Sequence, residues 1–403
     1  MLFAYYRKNQ FVKSIKRTYF WNTMQKSYRF DRPVLIFTFI FIKSMSNLLN
    51  TPCPSCGGKL LFSAEKQLLA CNYCGYTQDV NRNNDEVIEQ GLREAVLKAK
   101  RFIPEELGEQ VLHCGNCGAN VMTEQTQVEH ECPFCASTQI NLEAFEHNLI
   151  QPSGILPFQI PKKEAVGKFK EWIAKGWFHP DKLKKMAALE DLNGIYIPFW
   201  TFDALTESSW SGEAGHYYYE NQTVRVSGRL QTQRTQKTRW ERRRGDLSHF
   251  FDDVLVNASE GLDNPEFQRI LTSYRLDEVI NFDARLILGW HAEVYNLEVN
   301  DGYDVADKIM DARIRGMCIS RMGGDTYRNL NIRTEKNAQT FKHIMLPVWV
   351  AAYRFNGKSY QFVINGQTGR VGGEKPYSWI KITLFALLVA AIIAIIFLVM
   401  GEV

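Results

Sequence analysis

The sequence predicts an α+β protein, on three observations. Eight of the nine cysteines fall into four C-x-x-C pairs with a 61-residue repeat, helical and strand periodicities alternate through a long middle region, and an uncharged apolar run closes the chain. These signals divide the 403 residues into a basic extension (1–44), a cysteine module (45–80), a helical linker (81–110), a second cysteine module (111–150), a mixed α+β domain (151–378) and a hydrophobic tail (379–403). Hydrophobic residues at 45% and charged residues at 23% describe a chain able to bury a core, which excludes global disorder. The formal charge of +4 is an end effect. The first 44 residues hold nine Lys or Arg and one acid, so the remainder carries an excess of four acids and no global basic field.

Cys53-Pro-Ser-Cys56 is followed after fourteen residues by Cys71-Asn-Tyr-Cys74, and Cys114-Gly-Asn-Cys117 after fourteen residues by Cys132-Pro-Phe-Cys135. Two such knuckles on neighbouring hairpins bring four thiolates to one tetrahedral ion, so two structural Zn2+ ions are expected, each in a zinc ribbon. Iron in a rubredoxin-like site is the competing ion. Four sulfurs leave no coordination position for water, which points away from hydrolysis. Thiols reserved for metal imply a reducing compartment. Gly57, Gly75, Gly115 and Gly118 are expected to supply the positive φ of the tight turns and to direct backbone N–H groups at sulfur. His113 and His130 are read as neighbours of the ligands rather than ligands, and the odd Cys318 as a small buried side chain. Between the modules, Asn84 to Phe102 reads as an amphipathic helix ended by Pro104.

At the other end, Ile382 to Met400 contains no charge over nineteen residues, enough for a helix to cross a hydrocarbon core of roughly 30 Å. Arg370, Lys375 and Lys381 precede it and only Glu402 follows, so the positive-inside bias places the bulk of the chain in the cytoplasm as a single-pass membrane protein. Tyr377 and Trp379 suit the membrane interface. The run Pro33 to Ile42 is too short to span, and the basic stretch before it is too long for a signal peptide. Met45 is therefore the expected start of translation, with a lipid-resting basic segment as the other reading of residues 1–44.

In the middle region, Lys162 to Lys175 and Tyr303 to Met317 have helical spacing, while Ile195 to Ala204, Arg285 to Val299 and Ile344 to Phe355 read as strands. Asn356-Gly357 predicts a two-residue hairpin into Ser359 to Ile364. Ile195 to Trp200 and Ile344 to Trp349 both place Pro two residues before Trp, which suggests duplication or two edge strands. Gly323-Gly324-Asp325 reads as a turn.

The segments CPSCGGKL (Cys53 to Leu60), GIYIPFWTFDA (Gly194 to Ala204), FDDVLV (Phe251 to Val256), LPVW (Leu346 to Trp349) and NGQTGRVGGEKP (Asn365 to Pro376) resemble a group of bacterial membrane-anchored double zinc-ribbon proteins. Members carry a transcription-factor-IIB-type zinc ribbon and are often catalogued as like primosomal protein N-prime, the replication-restart helicase. The helicase label fails on the residues. An ATP motor needs a phosphate-cradling loop between strand and helix, whereas the nearest match, Asn356-Gly357-Lys358-Ser359, lies in a hairpin and has Ala352 where its first glycine belongs.

No other catalytic set assembles from the sequence, and a non-enzymatic protein is expected. Adjacent Asp252 and Asp253 should point to opposite faces of a strand, and His291 with Glu293, which could form an acid-base pair on one strand face, reads as a surface or structural pair. The strongest binding signal is the basic run of Arg225, Arg229, Arg234, Lys237, Arg239, Arg242, Arg243 and Arg244, opposed by Glu241 alone. The expected function is a membrane-tethered adaptor for a protein partner; the alternative is a nucleic-acid-binding factor using the ribbons and this run. No small-molecule substrate is indicated.

Overall fold

The computed structural model describes residues 52–80, 87–92, 101–102, 109–124, 131–143, 149–176, 178–180, 192–226, 229–262, 265–355, 358–373 and 376–401. The basic extension, the Met45 start, His130 and the Asn356-Gly357 turn lie outside these residues. The fold is α+β and mostly sheet, with four α-helices among the described residues.

The first cysteine module is a three-stranded antiparallel sheet of β1 (Leu60–Ser63), β2 (Leu68–Cys71) and β3 (Thr77–Gln78). Then come β4 (Gln90–Gly91) and β5 (Arg101–Phe102). Of the helix expected over Asn84 to Phe102, Leu92 is helical, and residues 93–100 and Pro104 lie outside the described residues. The described ends are not helix: Gln90 and Gly91 pair with Phe341 and Thr340, and Arg101–Phe102 is strand, so pairing across the chain displaces the local periodicity at these ends. The second module comprises β6 (Glu109–Cys114), β7 (Asn120–Glu124) and β8 (Ile140–Glu143), and is followed by the short β9 (Leu149–Ile150) and β10 (Gly154–Ile155).

Helix α1 (Lys162–Ala174) forms as its spacing predicts, burying Ala165, Phe169 and Ile173. After it run two very long strands, β11 (Asn193–Val226) and β12 (Arg229–Asn257), joined as a hairpin. Helix α2 (Pro265–Leu271), β13 (Ile280–Asn281) and β14 (His291–Glu293) lead into helix α3 (Val299–Met322). The single strand expected over Arg285 to Val299 is therefore a 3-10 turn at Ala284–Ile287, a three-residue strand and the first residue of a helix. Asp283 accepts from the N–H of Arg285 and caps that turn, a local hydrogen bond that competes with the ladder. Gly323 and Gly324 turn the chain, both at positive φ, into β15 (Thr326–Phe355), then β16 (Lys358–Asn365), β17 (Val371–Gly373) and helix α4 (Trp379–Gly401). The Phe355 and Lys358 pair flanks the predicted two-residue hairpin.

Strands β11 and β15 form the spine of a twelve-stranded sheet. The two Pro-x-Trp segments pair with each other, Tyr196 opposite Pro347 and Pro198 opposite Met345. They are central, not edge, strands. Proline is tolerated because each stands where the outer neighbour changes. Pro198 lies between the β14 pairing at Ile195 and Tyr196 and the β12 pairing from Phe199; Pro347 lies between the β10 pairing at Met345 and the β16 pairing from Val348.

The cysteine modules pack against the body through different clusters. Leu60, Phe62 and Leu69 of the first join Tyr196, Trp349 and α1; Ala119, Val121 and Phe134 of the second join Ile195, Ile197 and α2. Alternating β11 residues thus serve opposite faces of the sheet. A third cluster lays Ala306, Met310, Ile314, Cys318 and Met322 of α3 onto Trp200, Phe202, Trp210 and Ala214. Cys318 is fully buried there, as expected of a small apolar side chain.

Candidate metal centres

Each knuckle closes by the same two backbone hydrogen bonds. The N–H after the second cysteine returns to the carbonyl of the first, as Gly57 to Cys53, Gly75 to Cys71, Gly118 to Cys114 and Ala136 to Cys132, at 2.8 to 3.0 Å. The first cysteine's N–H bonds forward to residue 58, 76, 119 or 137. This turn needs a left-handed residue after the second cysteine, and φ there is 74°, 75°, 77° and 53° for Gly57, Gly75, Gly118 and Ala136. Gly115 is not among the positive-φ residues. The fourth left-handed turn residue is instead Ala136, the repeat equivalent of Gly75, where an alanine accepts the same conformation.

The knuckles meet in two sets, Cys53, Cys56, Cys71 and Cys74, and Cys114, Cys117, Cys132 and Cys135, with all four sulfurs of a set within 4.8 Å of one another. Cys53 and Cys74, and Cys56 and Cys71, are 3.5 Å apart at sulfur; Cys114 and Cys135, and Cys117 and Cys132, are 3.7 Å apart. Four ligands at about 2.3 Å around a tetrahedral ion stand about 3.8 Å from one another, whereas a disulfide closes to about 2.05 Å. The geometry fits an S4 metal site. Protons are divided unequally among these sulfurs. Cys74 is pulled down to about 6 by the N–H of Tyr76 and then by the Cys56 sulfur. Cys135 is pulled far down by Cys117 and Cys132, while Cys117 is pushed far up by Cys132 and Cys135. Asn116 Nδ2 adds a 3.4 Å contact to Cys135. A divalent ion at each centre would be held by four thiolates, three of which, Cys56, Cys71 and Cys74 in the first and Cys117, Cys132 and Cys135 in the second, already face backbone N–H donors.

The two centres differ in exposure. Around the first, Pro54, Ser55, Cys56 and Gly57 on one knuckle and Asn72, Tyr73, Cys74 and Gly75 on the other are all exposed, with Tyr73 at 85%. Around the second, Cys132, Pro133 and Phe134 are buried. His113 Nδ1 is 2.8 Å from Asn120 Oδ1 and belongs to neither ligand set.

Asp203, Asp252 and Asp253 also bring carboxylate oxygens within 4.8 Å, against the expectation that adjacent Asp252 and Asp253 diverge. The register slips between Phe202 and Ala204, and Asp253 adopts φ 49°, so a bulge turns both aspartates to one side. Asp253 N–H donates to Asp203 Oδ1 at 2.6 Å, and Lys342 Nζ lies 2.7 Å from Asp253. The lysine supplies the positive charge of this cluster.

The basic run does not make one patch. By register, Arg234, Arg242 and Arg244 lie on one face of the hairpin and Lys237, Arg239 and Arg243 on the other; Arg225 and Arg229 occupy its last pairs. Sequence spacing missed Arg328 and Arg333, which β15 adds to the first of these faces.

Residues Trp379–Ile396 make a helix with a mean hydropathy of 2.6 and no part buried, long and apolar enough to cross a membrane. At its start, Ser378 N–H donates to Phe178, Lys381 Nζ donates to His179, and Phe385 stacks edge-on to Phe178.

The chain is similar to an uncharacterised protein of Bacillus subtilis (strain 168), YdjG, 28% identical over 337 residues, which is 82% of this chain and 91% of that protein. No family model matches. No solved structure matches either. Two four-cysteine clusters and an apolar C-terminal helix fit a zinc-binding, membrane-associated protein.

Proposed function

We propose that the protein is a membrane-tethered adaptor whose first metal centre presents a rigid recognition surface to a protein partner on the cytoplasmic side. The observation that carries this reading is Tyr73, a large ring 85% exposed on a turn tied at both ends to metal-ligating cysteines. An aromatic side chain in that position contributes contact area with little conformational entropy left to lose. Closed S4 coordination supports a structural role for both ions rather than a catalytic one. Arg370 and Lys375 before the apolar helix and Lys381 in its first turn support a cytoplasmic placement of the body, where thiols stay reduced.

The test replaces Tyr73 with a photo-crosslinking phenylalanine in full-length protein within native membranes. A discrete adduct that survives nuclease, and that competes with added wild-type protein, is the expected result. A nuclease-sensitive adduct, or none, would remove the adaptor reading.

A further inference from the structure

The β11 and β12 hairpin extends well beyond the body. Its register with β15 ends at Gly215 opposite Thr326, yet β11 and β12 continue paired to Val226 and Arg229. Eleven further residues per strand make a two-stranded arm of about 35 Å. On the root of the arm, α3 covers the face built from even-numbered β11 residues, including Trp210 and Ala214. The opposite face is open to solvent.

That open face collects a particular chemistry. From the Ser209 pair outward it presents Arg242 and Arg244 of β12, Arg328 and Arg333 of β15, and Arg234 nearer the tip, against the carboxylates Glu213 and Asp246. Glu213 is shared by Arg328 and Arg242, while Arg234, Arg244 and Arg333 have no carboxylate partner among the described residues. Three rings lie among the guanidinium groups. Arg328 stacks 4.1 Å over Trp240 and Arg234 4.1 Å over Tyr219, with Tyr217 between them along the strand. Tyr217 and Tyr219 are 44% and 52% exposed. A Cβ on Gly215 would come within 2.9 Å of the Trp240 ring, so the glycine opposite is what lets the indole lie down on the sheet.

We propose that this face binds single-stranded nucleic acid, with the arginines that lack a carboxylate partner on phosphates and bases stacked on Tyr217 and on the pairs of Tyr219 with Arg234 and Trp240 with Arg328. A flat sheet carrying rings and cations offers unpaired bases a π-surface and their backbone a counterion, in any sequence. Beside the rings stand Thr238 and Gln236, and beyond them toward the tip Asn221, Thr223 and Thr232, hydrogen-bonding side chains where a bilayer-dipping face would be apolar; Leu230 is the exception. The cations of the reverse face are engaged differently, Lys237 with Glu220 and Arg243 with Glu241. This inference stands apart from the adaptor reading, which rests on Tyr73.

Full-length protein in detergent micelles, titrated with fluorescent twenty-nucleotide oligouridine and oligothymidine at 150 mM salt, tests it. The variant R234A/R242A/R244A should lose at least tenfold in affinity and flatten the dependence of log K on log salt by about 2. The variant K237A/R239A/R243A removes equal charge from the reverse face and should lose less than threefold. Tyr217→Ala with Tyr219→Ala should weaken binding at an unchanged salt slope, because rings release no counterions. Equal losses from both triple variants, preference for duplex, for anionic phosphatidylglycerol vesicles or for polyglutamate, or no oligonucleotide binding would each overturn the proposal.

Discussion

Glu293 stands at the junction of the second cysteine module and the sheet, where β14 pairs with β7. It is 2% exposed, neither carboxyl oxygen has a hydrogen-bond partner among the described residues, and burial pushes its carboxyl up to about 8. An acid whose folded pKa is raised loses stability as pH rises from its unfolded value of about 4.5 towards 8, because the unfolded chain has already released the proton. Glu293→Gln should therefore gain on wild type across that window, by up to the order of 5 kcal/mol, with the difference in stability vanishing below about pH 4.5. A difference in Tm independent of pH would show that Glu293 is not protonated in the fold. His343, fully buried with its pKa lowered to about 4 by burial, acts in the opposite sense and loses stability as pH falls from 6.5 to 4. Neither role was legible in the sequence. An isolated His or Glu on a strand carries no mark of its depth, whereas the cysteine ligands, fixed by a repeated spacing, were all readable.

The elements around the two metal centres are coupled to the body to different degrees. The first module's strands form a sheet of their own, while β7 of the second hydrogen-bonds to β14 in the main sheet. Cys56 and Cys74 are exposed, whereas among the second set Cys114 and Cys132 are buried and the other two half-buried. A chelator should accordingly remove one zinc quickly and the second slowly, read as two phases of metal release from protein that starts with two ions per chain. Cys74→Ser should leave the main unfolding transition nearly in place and Cys132→Ser should lower it, since the second core includes Phe134, Ile195 and Leu346. Release of both ions in one phase would refute this asymmetry. The helices α1 and α3 were legible because periodicity governs packed helices of such length. The short strands at Gln90–Gly91 and His291–Glu293 were not, because their pairing partners stand far away in the chain. The length of the arm escaped sequence reading too, since its polar alternation resembles that of any surface loop.

For the whole molecule, the decisive question is whether the apolar helix holds it at a bilayer. The apolar helix begins at Trp379 and none of its 18-residue span is buried against the protein, so no soluble packing explains its composition. Its first turn is nonetheless tied to the body through Phe178 and His179, which fixes where the chain leaves the fold. Removing Ile382 to Val403 takes away nearly all of that helix but leaves the Ser378 to Phe178 bond and the Lys381 contact to His179. The truncated protein should keep its two metal centres, and its thermal transition should lie within a few degrees of the full chain, because no apolar cluster of the body includes a residue of the deleted segment. It should also move wholly into the soluble fraction. Retention in carbonate-washed membranes would require a second anchor, and the basic extension of residues 1–44 would then be the segment to delete next. Orientation is read from the full-length chain: a membrane-impermeant maleimide added to intact cells treated with a membrane-permeant chelator should leave Cys56 and Cys74 unlabelled, and label them only once the membrane is opened.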